Sequence, residues 1–142
     1  MPQSSILHDG GGERADGTPV RVLVVEDEAI LSQFLADVLA DGAYRVIGPC
    51  ATLSAALQLA TDESIDVALL DVNVGGAQVT KVADKLLERR IPFLFVTGMG
   101  GLPDPRFAKI PILRKPFLAD DLFGGISAVL PARLRARPLP AS

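Results

Sequence analysis

The sequence predicts an α/β fold: a doubly wound, five-stranded parallel sheet with helices on both faces. Two observations predict it: short apolar runs alternate with segments whose apolar residues recur at helical spacing, and polar residues directly follow most of the runs. Parallel strands need a crossover connection, usually a helix. The fourth crossover, residues 97–109, is rich in glycine and proline. There we expect the helix to be shortened or replaced by a Gly/Pro-rich loop, because both residues disfavour helices.

Five apolar runs are the predicted strands. Residues 20–25 are nearly all apolar and largely β-branched, which is typical of a strand covered on both faces. The other four predicted strands are residues 44–48, 66–70, 92–96 and 110–113. Each run is short enough for a single strand and too short for a membrane helix, which needs about 20 apolar residues.

Four segments show helical periodicity. Their predicted inner faces are Ile30, Leu31, Phe34, Leu35, Val38 and Leu39; Leu53, Ala56, Leu57 and Ala60; Val79, Val82, Ala83, Leu86 and Leu87; and Leu122, Ile126, Val129 and Leu130. We expect the first helix to end at Gly42, and Thr52 or Ser54 can cap the second. Gly124 and Gly125 weaken the last helix by about 1 kcal/mol each relative to alanine.

The length of 142 residues suits one folded domain, which we assign to residues 20–130. Residues 1–19 are polar and Gly-rich and show no periodicity, so we expect a flexible leader. Residues 131–142 carry three arginines among prolines and no acid, which indicates a basic flexible tail.

Composition excludes several classes of function. One cysteine and one histidine, His8 in the leader, argue against disulfide frameworks, zinc sites and histidine catalysis. With 14 basic and 17 acidic residues the net charge is −3, which argues against a nucleic-acid surface. Without a membrane segment or a secretory signal, we expect a cytoplasmic protein with neither DNA nor membrane as a partner. The side chains that remain as candidates for a reactive site are carboxylates, hydroxyls and lysine.

Polar residues gather at one predicted edge of the sheet. They are Glu26 and Asp27 after the first strand, Asp71 after the third, Thr97 after the fourth and Lys115 after the fifth. Any one of them could be a helix cap, a turn residue or a surface charge. Ligands of open α/β sheets bind beyond the carboxyl ends of the strands. The joint arrangement therefore predicts a single site.

Four motifs resemble those of response-regulator receiver domains. They are VLVVEDE at residues 22–28, LLDVN at 69–73, FVTG at 95–98 and RKPF at 114–117. The resemblance spans about residues 20–130, and it implies a flavodoxin-like sheet with strand order 2-1-3-4-5. The stretch from residue 92 to 117 also resembles the single-domain FATGUY subgroup.

The resemblance implies a role for each site residue. Asp71 would be the phosphoacceptor, whose carboxylate attacks the phosphorus of a phosphohistidine. The implied Mg²⁺ ligands are Glu26, Asp27, Asp71 and the backbone carbonyl of Asn73, oxygen donors that suit this hard cation. Lys115 would pair with the phosphoryl oxygens, and the Thr97 hydroxyl would donate to them. The chain would thus take part in its own phosphorylation and autodephosphorylation without being an enzyme.

The switch residues depart from the usual receiver pattern. Receivers usually carry tyrosine or phenylalanine three residues before the lysine, whereas this chain has Ile112. The usual coupling of Thr97 to a moving aromatic ring therefore cannot operate here. The loop after Thr97 contains Gly98, Gly100 and Gly101. We hypothesise that phosphorylation and Mg²⁺ order this loop.

The resemblance implies a sensor histidine kinase, of the HWE or a related type, as phosphodonor. A histidine phosphotransfer protein or a second kinase would be the recipient. The helix after Asp27 is the expected kinase-docking face. A domain of about 110 residues leaves no room for an effector domain, so we expect the output to pass through partners.

Two other functions stay open. The first is a phosphorylation-independent adaptor with the receiver fold, although the complete set of site residues speaks against it. The second is an aspartate-nucleophile phosphatase. That class typically shows an Asp-x-Asp motif, and the sequence Asp71-Val72-Asn73 lacks its second acid.

Overall fold

The computed structural model describes residues 12–14, 16–98, 101 and 103–134. In chain order the strands are β1 (Arg21–Val25), β2 (Arg45–Cys50), β3 (Val67–Asp71), β4 (Asn73–Val74), β5 (Ala77–Gln78), β6 (Phe93–Thr97) and β7 (Ile112–Arg114). The α-helices among these residues are α1 (Ala29–Asp41), α2 (Leu53–Asp62), α3 (Thr80–Glu88) and α4 (Ala119–Val129). None of the described helices is long and apolar enough to cross a membrane.

Five of the strands form one sheet in the order β2-β1-β3-β6-β7, and every neighbouring pair is parallel. The remaining two, β4 and β5, form a separate antiparallel hairpin directly after β3. Apart from this hairpin, which was not predicted from the sequence, the order is the predicted 2-1-3-4-5. The flavodoxin-like α/β fold is therefore confirmed.

Two apolar clusters cover the two faces of the sheet. One face packs Leu23 and Val25 of β1 against α2 and α3, and the other packs Val22 and Val24 against α1 and α4. Successive side chains of a strand point to opposite faces, so a nearly all-apolar β1 requires cover on both sides. The doubly wound arrangement follows from this pattern.

Most helix boundaries agree with the sequence. Helix α1 ends at Asp41, and the Thr52 hydroxyl caps α2 by accepting a hydrogen bond from the Ala55 N–H at 3.2 Å. Three predicted inner positions are wrong: Ile30 is 86% exposed, Phe34 is 38% exposed and Leu87 is 47% exposed. All three flank the apolar stripe of their helix, whereas the centre of the stripe faces the sheet, and periodicity alone does not distinguish the flank from the centre.

The second and fifth strands differ from the prediction. Strand β2 runs two residues further, through Pro49 to Cys50, with an irregular register opposite β1. Proline is tolerated there because β2 is an edge strand of the described sheet. Strand β7 starts two residues later than predicted, at Ile112.

The fourth crossover contains no α-helix among its described residues, which confirms the prediction that its helix is shortened or replaced by a loop. A single 3₁₀ turn, Pro105–Phe107, stands in its place. The Asp104 carboxylate begins this turn by accepting a hydrogen bond from the Arg106 N–H at 3.0 Å. Phe107 at its end is buried, so one aromatic ring supplies the apolar contact that a helix face would give.

The described part of the predicted leader contacts the domain rather than extending away from it. The Gly12 N–H donates to the Gly42 carbonyl at 2.6 Å, and Arg14 forms an ion pair with Asp66. Residues 132–134 form one 3₁₀ turn. Residues 1–11, with His8, and residues 135–142 lie outside the described part, so the boundaries of leader and tail stay predictions.

Candidate functional site

The carboxyl ends of the parallel strands bring the predicted acidic residues together. Glu26 and Asp27 directly follow β1, and Asp71 is the last residue of β3. One carboxylate oxygen from each of the three lies within 4.8 Å of the others. Strands β1 and β3 are neighbours in the sheet, so their ends deliver these groups to the same place.

Glu26 is the buried member of the acidic cluster, with 1% of its surface exposed. Its Oε2 accepts a hydrogen bond from the Glu28 N–H at 2.9 Å. Its buried Oε1 lies 3.3 Å from the Lys115 Nζ but has no hydrogen-bond partner. A buried oxygen without such a partner is costly unless a cation or water satisfies it.

Asp71 is the half-buried member of the cluster. Its Oδ2 is 3.3 Å from the Lys115 Nζ, and its Oδ1 accepts a hydrogen bond from the Asn73 N–H at 3.3 Å. Its side chain keeps 13% of its surface exposed, so the carboxylate remains reachable from solvent. Asn73 begins the β4–β5 hairpin, and its backbone is thereby fixed beside Asp71.

Asp27 is the exposed member of the cluster. Its Oδ2 accepts a hydrogen bond of 2.8 Å from the N–H of Gly75, at the turn of the β4–β5 hairpin. This contact was not predicted from the sequence. The adjacent glycines Gly75 and Gly76 between two short runs were the available signal for a tight hairpin turn.

Lys115 neutralises part of the acidic charge. Its ammonium lies 3.3 Å from an oxygen of Glu26 and 3.3 Å from an oxygen of Asp71. The peptide bond between Lys115 and Pro116 is cis. Burial lowers the pKa of Lys115, but the carboxylates of Asp71 and Glu26 outweigh it and the pKa is raised. Lys115 is therefore a cation at neutral pH.

Thr97, the last residue of β6, is buried with 2% exposure. Its hydroxyl donates a hydrogen bond of 2.7 Å to the carbonyl of Gly101 in the fourth crossover. Ile112 is half-buried on β7, opposite Phe95 of β6. Gly98 is exposed, and Gly100 lies outside the described residues. Thr97 thus contacts the loop directly, through Gly101.

Burial raises the pKa of Glu26, the neighbouring carboxylate of Asp71 adds to the rise, and the Glu28 N–H and Lys115 lower it; the net change is from 4.5 to about 7. Between pH 4.5 and 7 the folded protein therefore binds more protons at Glu26 than the unfolded chain. Stability should fall as pH rises through this window, by up to about 3 kcal/mol, at about 1.4 kcal/mol for each unit of pKa difference.

The measurement is urea unfolding at pH 5 and pH 8 in metal-free buffer, for wild type and Glu26→Gln. The stability of Glu26→Gln minus that of wild type should grow between the two pH values, because the amide has no proton to lose. If the stabilities of the two proteins changed with pH in parallel, this would contradict the raised pKa of Glu26.

The residues present fit a hard divalent cation. Three carboxylates converge within 4.8 Å, one of them presents a buried oxygen that lacks a hydrogen-bond partner, and the donor set is all oxygen. Magnesium prefers such ligands and retains several of its waters. The exposure of Asp27 leaves one side of the cluster open to solvent, which suits a cation with bound water.

The sequence matches a known family and curated relatives. Residues 22–123 match the model described as the response regulator receiver domain. The transcriptional regulatory protein PdtaR of Mycobacterium tuberculosis (strain CDC 1551 / Oshkosh) is 28% identical over 113 residues, which cover 76% of this chain and 55% of PdtaR. The chain thus spans about half the length of the curated relatives it matches.

Solved structures show the same architecture. The solution structure of SdrG from Sphingomonas melonis Fr1 is 38% identical, with a TM-score of 0.71 over 78% of this chain and 95% of that one. The BeF₃-activated conformation of SdrG from Pseudomonas melonis Fr1 is also 38% identical, with a TM-score of 0.65 and the same coverage. The similarity extends over nearly the whole of each SdrG chain.

Proposed function

The chain belongs to the response regulator receiver domain family, and on that basis we propose that Asp71 accepts a phosphoryl group from a sensor histidine kinase in a Mg²⁺-dependent reaction. One observation carries the proposal: the Asp71 carboxylate contacts a cation, the Lys115 ammonium at 3.3 Å, and shares a cluster with two further carboxylates that suit a metal. Phosphoryl transfer needs mainly positioning and charge neutralisation, and this arrangement offers both.

In the proposed reaction an Asp71 oxygen attacks phosphorus, the phosphorus–nitrogen bond of the phosphohistidine breaks, and an aspartyl phosphate forms. Lys115 would pair with a phosphoryl oxygen, which requires it to weaken its present contact with Asp71. Glu26, Asp27, Asp71 and the Asn73 carbonyl would hold Mg²⁺. When bound, this ion would neutralise the charge on the phosphoryl group.

Thr97 links the proposed phosphorylation to the fourth crossover. A hydroxyl carries one hydrogen and donates to one acceptor at a time, and here the acceptor is the Gly101 carbonyl. Donation to a phosphoryl oxygen would release Gly101, so the loop would rearrange. Thr97 could therefore act as a switch through Gly101, without the aromatic ring that receivers usually carry at the position of Ile112.

The proposed kinase-docking face is helix α1. A groove of about 600 Å³ beside the acidic cluster is lined by the apolar side chains of Ile30, Leu31, Phe34 and Phe117, and by Lys115. The exposure of Ile30, 86%, leaves an apolar edge uncovered next to the phosphoacceptor. A helix carrying the phosphohistidine would bury this edge as it brings phosphorus to Asp71.

The test is transfer of label from autophosphorylated kinases of the HWE type to the chain, with Mg²⁺ or with EDTA. We expect rapid Mg²⁺-dependent labelling. Kinase binding without labelling would support the adaptor alternative, and steady turnover of p-nitrophenyl phosphate would support the phosphatase. Failure of kinases, and also of acetyl phosphate, to label the chain with Mg²⁺ present would overturn the proposal.

A further inference from the structure

The β4–β5 hairpin, residues 73–78, begins two residues after Asp71, and its turn contacts Asp27 of the acidic cluster. We propose that this hairpin is a positioning element for the metal, and that the Gly75 N–H holds the Asp27 carboxylate in its metal-binding orientation. The inference rests on the proposed function for the identity of the metal as Mg²⁺. It concerns a residue outside the acidic cluster itself.

Each carboxylate of the cluster has one oxygen held by a backbone N–H. Glu26 and Asp71 are held by the N–H groups of Glu28 and Asn73, each two residues further along the chain, at 2.9 and 3.3 Å. Asp27 is held by Gly75, 48 residues away, at 2.8 Å. The orientation of Asp27 therefore depends on a separate loop, whereas those of Glu26 and Asp71 are set locally.

Asp27 needs this support more than the other two acids. Glu26 is buried and Asp71 is half-buried, and both also face Lys115, whereas Asp27 is exposed. An exposed side chain samples several rotamers, and a cation must fix one of them on binding. The Gly75 N–H engages Oδ2 in advance and leaves Oδ1 to a cation.

The hairpin is built to hold its turn in place. Gly75 and Gly76 have φ values of +59° and +83°, the signs of a type I′ turn, which favours glycine at both positions. A Cβ at either residue would meet nothing within 4 Å, so the requirement is one of backbone conformation and not of space. At the base, Val74 is buried in the core and pairs with Ala77.

Two substitutions at one position test the N–H together with the turn that presents it. Gly75→Pro removes both the N–H and the positive φ, because proline fixes φ near about −65°, whereas Gly75→Asn keeps both in a residue that tolerates positive φ. We expect Gly75→Pro to weaken Mg²⁺ binding about 10-fold, the lower end of the effect of losing a group that supports a metal ligand. Gly75→Asn should restore the affinity to within about 2-fold of wild type.

The measurement is a Mg²⁺ titration of each protein followed by backbone amide chemical shifts. It is repeated in an Asp27→Asn background, where Gly75→Pro should add less than about 2-fold because the group it positions is already altered. An equal loss in both backgrounds, or no loss in either, would overturn the positioning role. Absence of Mg²⁺ binding by wild type would instead overturn the proposed function, and this inference with it.

A second measurement uses folded wild type and Asp27→Ala, in case Gly75→Pro does not fold. The Gly75 amide should exchange with solvent several-fold faster in Asp27→Ala, while the Asn73 amide, held by Asp71, should not change. Unchanged exchange at Gly75 would show that its N–H does not engage Asp27, and it would overturn the inference.

Discussion

Asp71→Asn is expected to reduce phosphoryl incorporation to background, at least about 1,000-fold below wild type, because the amide is not a nucleophile toward phosphorus. The substitution is nearly isosteric, and the amide oxygen can still accept the Asn73 N–H that now binds Oδ1. The expected loss is therefore chemical rather than structural. The measurement is labelling by an autophosphorylated kinase or acetyl phosphate, with intact mass as a second readout.

The matched control is Asp41→Asn, an exposed aspartate at the end of α1 and away from the cluster. It should label like wild type. Labelling of Asp71→Asn at more than a few per cent of the wild-type level would place the phosphoacceptor elsewhere.

Asp71→Asn also has an electrostatic consequence, which does not depend on any kinase. The charge of Asp71 is one cause of the raised pKa of Glu26. Its removal should lower the pKa of Glu26 from about 7 toward 4.5, although burial continues to hold it up. Carbon-detected NMR titration of the Glu26 carboxyl measures this, and an unchanged midpoint would show that the two groups are not in electrostatic contact.

Phe107→Ala is expected to lower the free energy of unfolding by about 3–5 kcal/mol, the usual cost of deleting a buried phenyl ring. Phe107 is 3% exposed, and its ring lies 5.7 Å from that of Phe95 and 6.4 Å from that of Phe93. These strand residues belong to the central part of the sheet. Deleting the ring would leave a cavity between β6 and the fourth crossover, whose described residues form no α-helix to close it.

Urea unfolding of wild type and Phe107→Ala measures this loss. Leu118→Ala is the control, because Leu118 is 73% exposed and its truncation should change stability by no more than about 0.5 kcal/mol. A loss below about 1 kcal/mol in Phe107→Ala would show that the crossover is not anchored through this ring.

Arg106 also attaches the fourth crossover to the rest of the domain, on the solvent-exposed side. Its guanidinium lies 4.4 Å from the centre of the Phe107 ring and forms an ion pair of 2.7 Å with Asp84 on α3. The hydrogen bond from Arg106 lowers the pKa of Asp84. Both side chains are about half exposed, so solvent screens the pair and the buried ring carries most of the attachment.

The fold class could be read from the chain because its signals are local. Apolar runs of five or six residues, helical spacing between them, and glycine and proline in one crossover are properties of neighbouring residues. The position of the acidic cluster could also be predicted, since Asp27 and Asp71 stand at the ends of strands and parallel strand ends meet at one edge. Ile30 shows the limit of this reasoning, because its spacing suits the core and yet it lies exposed beside the groove.

The sequence by itself thus determined a doubly wound parallel sheet, the lack of an α-helix in the described residues of the fourth crossover, and the gathering of carboxylates, a hydroxyl and a lysine at one edge. Only the tertiary structure decided that Phe107 enters the core, that Thr97 donates to Gly101, and that Gly75 holds Asp27. The physical reason is that each of these contacts depends on where two loops meet in space. The Gly75–Asp27 contact joins residues 48 apart, and no periodicity or local preference encodes such a separation.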